Sequence, residues 1–339
     1  AYDADSEGIE GKYYVWRYDE IKNILKDKLK LFEKKYLITK EGNFEGSNIL
    51  VESNSKKYLD EELVIIKEAE NILLKERKKR VKPFFDDKVQ TDLNCYWLYS
   101  NLFSSLVLNN DELLKNTINK IKSLNDKFKD KIFHCYDNQK NEVDVFLDDY
   151  VYYSLLLITM YEINNDKNSL NKCIQLMEKT WQLFFNKDND LLQKNKLDTN
   201  DLFVNPVDIV DNNIPNANSI YLLICNKLSN ITNQKTWKDK IEVLSKSFHA
   251  YINLNFSQMF SYLKILDICE NNITLTFHGK NDEIDAIKKE IIKKFMGNIS
   301  IIYNNTEDSF FAVICKNQTC SEKLKSLEEI NNYIKEKLN

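Results

Sequence analysis

Six glycines and three prolines in 339 residues are the tightest constraint on what this chain can fold into. Soluble chains ordinarily hold roughly 7% glycine and 5% proline. With so few residues that break helices or enter left-handed turns, a many-turned β-sandwich, a collagen-like chain and proline-rich disorder are disfavoured. Long helices are favoured instead. Hydrophobic residues at 43% and aromatics at 12% supply enough apolar surface for a globular core. The net charge of -4 offers no bulk attraction to polyanions, so no nucleic-acid partner is expected. The longest apolar run, 151–161, contains Ser154 and Thr159. It is well short of the roughly 20 residues of a spanning helix. Neither a membrane partner nor a signal peptide is expected, and the default home is cytoplasmic. Residue 1 is Ala and the first methionine is Met160, so the chain is expected to be a piece of something longer.

Apolar periodicity predicts helices over roughly 59–80, 90–109, 111–131, 146–165, 168–186, 217–232, 235–254 and 257–271. Their similar lengths and short connections read as antiparallel hairpins. Before them stand a short strand at Tyr13–Trp16 and a helix from Asp19 carrying Ile21, Ile24 and Leu25 on one face. The pattern changes near Asn272: strands at 273–277, 299–303 and 310–314 alternate with helices at 282–296 and 324–338. The expected architecture is all-α, an incomplete (α/α)6 toroid with a small C-terminal α/β appendage. Residues 1–271 form the partial toroid with a short strand hairpin near its start, and 272–339 form a β-α-β-β-α unit.

Polar motifs recur at the amino ends of alternate helices: Asp86-Asp87-Lys88, Asp148-Asp149-Tyr150 and Pro215-Asn216-Ala217-Asn218. Alternate helices of a hairpin ring run the same way, so these motifs are expected to gather at one mouth. Helix amino ends tolerate clustered carboxylates because their dipoles favour negative charge. Glycoside chemistry needs two carboxyl groups across a sugar, one of them protonated. Neighbouring residues on a helix diverge by about 100°, so only one of Asp148 and Asp149 should face a ligand. The second carboxylate would come from Asp87, Asp208 or the loop holding Asp3, Asp5 and Glu7. The bland alternative is that these acids are helix caps and first-turn charges.

Asp3-Ala-Asp-Ser-Glu-Gly8 with Glu10-Gly11 and Tyr14-Val-Trp16 resembles the motif of the spermatogenesis-associated protein 20-like family. Gly42-Asn43, Glu45-Gly46 and Asn48-Ile-Leu50 fit its next block. Asp86-Asp-Lys88 with Thr91 and Asn94, then Phe146-Leu-Asp-Asp-Tyr150, then Asp211, Pro215 and Asn218-Ser219 fit later ones in collinear order. The tail Ala312-Val-Ile-Cys315 with Thr319-Cys320 fits the family's end. The resemblance implies a six-hairpin-glycosidase-like body similar to N-acylglucosamine 2-epimerases, preceded by a thioredoxin-like domain that lies outside this chain. It hints at carbohydrate chemistry without settling a reaction. Together, mouth and motifs single out Asp148, Asp149 and Asp87 as catalytic candidates. Asp3, Asp5, Glu7, Lys88, Asn94, Tyr150, Asp208, Asp211 and Asn218 are the ligand-binding candidates. The expected partners are a sugar-like small molecule and the thioredoxin-like domain. The alternative is a non-catalytic scaffold for that domain. The chain departs from the family at Leu93 and Cys95, at Asp190-Leu-Leu192, at Asn205 and Val207, and at Asn216-Ala217. Lost cations and glycines there change the mouth's chemistry and loops.

No metal or cofactor is expected. The acids of 3–8 imitate the start of a calcium loop, but Tyr14 stands where its bidentate glutamate belongs. His134, His249 and His278 are not expected at inner-helix amino ends, which argues against histidine-based proton transfer. Five of the seven cysteines read as reduced core thiols, and Cys315 and Cys320, outside the Cys-x-x-Cys spacing, as plain thiols at a strand end.

Overall fold

A computed structural model describes residues 1–53, 57–128, 131–136, 143–199, 203–295, 299–306, 309–316 and 319–338. The last residues of the expected helices 111–131 and 282–296 include positions 129, 130 and 296, outside the described residues. Two compact units divide the chain, Ala1–Lys88 and Val89–Asn339. This is not the division expected at 271/272, because the C-terminal sheet packs onto the helices before it. Among the described residues no helix is long and apolar enough to cross a membrane.

The first unit runs β1 (Asp5–Ser6), β2 (Ile9–Glu10), α1 (Tyr18–Leu25), α2 (Leu29–Lys35), β3 (Tyr36–Leu37), β4 (Val51–Glu52) and α3 (Asp60–Arg77). Its core is small: Trp16, Ile21, Leu25, Phe32, Ala69 and Leu73. The early hairpin exists but sits at β1 and β2, not at residues 13–16. Gly11, at φ 73°, turns the chain, and the Tyr14 amide donates back to its carbonyl at 2.7 Å. Arg80 substitutes for a larger core. Its guanidinium lies 4.0 Å over the Trp16 ring and donates to the carbonyls of Tyr13 and Val15 and to Glu20.

The second unit begins with β5 (Val89–Gln90), α4 (Thr91–Val107), α5 (Asp111–Lys127), β6 (Cys135–Tyr136), α6 (Leu147–Asn164) and α7 (Lys167–Phe184). Then come β7 (Phe185–Asn186), β8 (Leu191–Leu192), α8 (Ala217–Thr232), α9 (Lys235–Asn255) and α10 (Phe260–Glu270). Helices α4, α6 and α8 pack side by side as an inner row, and α5, α7 and α9 each back onto the inner helix preceding them. Burial follows that layering. Every residue of α6 except Asp148 and Asn164 is buried, and so is every residue of α8 from Ala217 to Ser229. The outer α7 buries a single stripe, Ser169, Leu170, Cys173, Leu176, Met177, Thr180 and Phe184.

Turns in a glycine-poor chain need a substitute, and asparagine supplies it. Asn109, Asn165 and Asn233 adopt φ of 51°, 56° and 53° just after helices α4, α6 and α8. A short polar side chain tolerates that left-handed conformation better than other non-glycine residues. Asn110, Asp166 and Asn216 then cap the helices that follow them.

The tail adds β9 (Ile273–Gly279), α11 (Asn281–Phe295), β10 (Ile299–Asn305), β11 (Phe311–Lys316), β12 (Thr319–Cys320) and α12 (Leu327–Leu338). The sheet order is β10-β9-β11-β12, with β10 parallel to β9 through the α11 crossover and β11 antiparallel to it. Alternate residues Ile273, Leu275 and Phe277 are buried. Cys315 and Cys320 are opposed across the β11–β12 ladder and form a disulfide, in place of the two thiols expected. Cys95, Cys173 and Cys225 are buried thiols outside any disulfide, and Cys135 is buried too. The fold class is therefore the expected one, a helical-hairpin array with a small C-terminal sheet.

Candidate functional site

An open cleft of about 390 Å³ lies at the amino ends of the inner helices of the second unit. Asp92 from α4, Asp148 from α6 and Pro215-Asn216 at the start of α8 meet there, joined by His134, Lys194 and Asp208 from connecting segments. The inner-helix ends gather because α4, α6 and α8 run the same way, as alternate members of successive hairpins must.

Several contacts hold the mouth in shape. The Leu147 amide donates to the Lys194 carbonyl at 2.9 Å, and the Lys194 amide donates to Pro206 at 2.8 Å. This carries the segment beyond β8 across the start of α6. Tyr152, fully buried on α6, donates its hydroxyl to the Pro215 carbonyl. The side chain of Asn218, also fully buried, accepts from the Leu192 amide and donates to the carbonyls of Leu192 and Asp208. Asp208 in turn sits 3.3 Å from the Lys194 ammonium.

Adjacent Asp148 and Asp149 part company, as helix geometry requires. Asp148 faces the cleft. Burial pushes its carboxyl up to about 6, against the pull of the Lys194 charge and reinforced by Asp92 and Asp208. Asp149 is fully buried. Its carboxylate accepts the Phe146 amide at 2.8 Å, closing the first turn of α6, and the Asp92 amide at 3.1 Å, which ties α4 to α6. Both of its oxygens lie 3.1 Å from His134 Nδ1.

His134 was not expected here, and its position is a correction. It precedes β6, whose pairing with β5 brings it to the start of α4, where its carbonyl accepts the Thr91 amide at 2.8 Å. Its ring packs edge-on against Phe146 and lines the cleft. The hydrogen bond to Asp149 raises its pKa above the ordinary imidazole range, with burial opposing. Its stabilising contribution is therefore complete below about pH 6.5 and is lost as pH rises through the raised value.

Ligand atoms of Asp92, His134 and Asp149 lie within 4.8 Å of one another, close enough to consider a cation. Much of that donor set is already engaged: both Asp149 oxygens take backbone amides, and Asp92 Oδ1 accepts the Leu93 amide at 2.7 Å. The arrangement suits an acid–imidazole pair better than a metal.

The remaining candidates fall elsewhere. Tyr150 is buried against Phe184, and Asn94 donates to the Gln90 carbonyl within the first turn of α4. Asp211 accepts from Asn216 and from the Ser261 amide, which fastens the start of α10. These three, with Asn218, shape the scaffold. Asp3, Asp5, Glu7, Asp87 and Lys88 belong to the first unit. There Asp3 accepts the Asp5 amide, Asp5 lies in β1, and Glu7 lines a separate cleft beside Lys12 and Arg80. Of the departures, Leu93 lines the second unit's cleft, Cys95 is buried, and Asn205 bonds to Asn195.

No family model matches the chain. It is 21% identical over 383 aligned residues to a Caenorhabditis elegans protein described as "Uncharacterized protein B0495.5", covering 96% of this chain. The chain spans about half, 52%, of that curated relative's length. Among solved structures, a family 105 glycoside hydrolase of C. acetobutylicum ATCC 824 superimposes with a TM-score of 0.38 at 12% identity, covering 74% of this chain and 67% of that one. A likeness that loose says nothing of chemistry.

Proposed function

We propose that the cleft at the inner-helix amino ends binds a sugar or glycosylated ligand and transfers protons to it. The observation that carries this reading is Asp148. It meets the cleft from the first turn of a helix buried at every other residue but Asn164, its carboxyl is held near 6, and Asp92 and Asp208 flank it as further carboxylates. A carboxyl group poised near neutral pH, facing others, is what protonating a glycosidic oxygen requires. Amides and hydroxyl-accepting carboxylates around an open cleft also suit a polyol. The reading extends to a cytoplasmic protein in which this helical part accompanies a thioredoxin-like domain. A scaffolding role for that domain is the second reading, and it needs no ligand in the cleft.

A thermal-shift scan against neutral sugars, amino sugars and sugar phosphates tests the proposal. Ligand at a hundred times its Kd contributes about 2.7 kcal/mol, an easily seen shift. The expected result is a selective shift that Asp148→Asn removes while the variant stays folded. No shift from any sugar would favour the scaffold.

A further inference from the structure

We propose that His134 is a catalytic base of this cleft and that Asp149 is its positioning residue. The inference rests on the sugar-processing reading above and assigns that site the second half of its chemistry. The geometry is specific. Asp149 cannot swing away from the imidazole, because two backbone amides from two different helices hold its carboxylate. A carboxylate fixed in this way accepts a hydrogen bond from Nδ1–H, which leaves the lone pair of the neutral ring on Nε2. Nε2 lies 3.4 Å from the Gln90 side-chain nitrogen, an amide donor that also lines the cleft. Both contacts fit one tautomer, Nδ1–H donating to Asp149 and Nε2 the acceptor beside the cleft-lining Gln90. Structural histidines have no need of this arrangement. His249, by comparison, bonds its Nδ1 to the Ser245 carbonyl within its own helix.

The step balances without a further reactant besides water. His134 Nε2 takes a proton from water as its oxygen bonds to the sugar's anomeric carbon. The glycosidic C–O bond breaks, and the departing oxygen receives the proton of Asp148. The products are two hydroxyl compounds, with His134 left protonated and Asp148 ionised. Solvent exchange returns the proton from one to the other. Asp149 stabilises the imidazolium without itself changing protonation.

The full chain is assayed with a panel of 4-nitrophenyl glycosides, alongside the thermal-shift scan with the matching sugars. His134→Gly is expected to lower kcat by about a hundredfold or more, with added imidazole restoring turnover. Asp149→Asn is expected to move the alkaline limb of the kcat/KM profile to lower pH, because the acid limb follows Asp148 and the alkaline limb follows the imidazole, whose raised value depends on the Asp149 carboxylate. Nitrogen-15 NMR of the ring should show the Nδ1–H tautomer in the wild type and its loss in Asp149→Asn. Should Asp149→Asn fail to fold, the His134→Gly rescue decides alone. Sugar binding without turnover, or turnover that His134→Gly leaves intact, overturns the base while leaving the binding cleft standing. A loss that imidazole does not rescue also overturns it. Absence of any sugar shift removes the cleft reading, and the base with it.

Discussion

Both ends of α6 bury an acid, and the surroundings give the two acids opposite tasks. At the carboxyl end, Glu162 accepts the Lys227 ammonium at 2.7 and 3.0 Å, and that ammonium also donates to the Ile299 carbonyl at 2.9 Å. Tyr303 donates to the Glu162 backbone carbonyl at 2.5 Å. Helices α6 and α8 and strand β10 are thereby joined around a pair whose side chains are 6% and 4% exposed. At the amino end, Asp149 is equally buried, but its partner is an imidazole that borders open space, and the next residue back faces a cleft. A buried ion pair bonded to a third element closes one end, and an imidazole that borders the cleft keeps the other end chemically available.

The largest effect should come from breaking the closed end. Glu162→Gln leaves a buried ammonium without its counter-ion, and urea denaturation should show a loss of about 3–5 kcal/mol. Replacing both partners, Glu162→Leu with Lys227→Met, should recover most of it. Equal losses in the single and double variants would mean that packing, not charge, makes that joint.

At the open end the sign reverses. The Asp148 carboxyl is raised in the folded chain, so its folded state holds a proton more tightly than the unfolded one. Its contribution is most favourable below about pH 4 and is lost as pH rises through about 6. Asp148→Asn removes that cost and should stabilise the protein at pH 7 by on the order of 2 kcal/mol, with the gain fading toward pH 4. A destabilised variant would make Asp148 a structural acid like Glu162. The smallest effect is expected from Tyr303→Phe, which deletes one hydrogen bond to α6 for about 1 kcal/mol and should leave any sugar-induced shift unchanged.

How far these ends could be read from the residues depended on how local their cause was. Helices α4 to α9 follow from apolar spacing and scarce breakers, and the divergence of Asp148 from Asp149 follows from helix geometry alone. His134 did not, because it reaches α6 only through the two-residue β5–β6 ladder, a pairing too short to leave a periodic signal. One clue was present. Asp149 lies in the first turn of an otherwise apolar helix, where the Phe146 amide engages one of its oxygens and leaves the other for a group beyond the helix. The division expected at 271/272 rested on the change of pattern near Asn272, a local signal that says nothing of the Lys227 ammonium joining Glu162 to the Ile299 carbonyl. Asp211 and Asn218 looked like ligand groups because polar residues at helix starts serve ligands and backbone alike, and here the backbone takes them.

The most direct measurement is a carboxyl carbon-13 NMR titration of Asp148, without and with the sugar giving the largest thermal shift. An apparent pKa near 6 that moves when sugar binds is the expected result. An ordinary carboxylate value of about 4, unmoved by every sugar, would contradict a proton-transferring cleft at the amino end of α6.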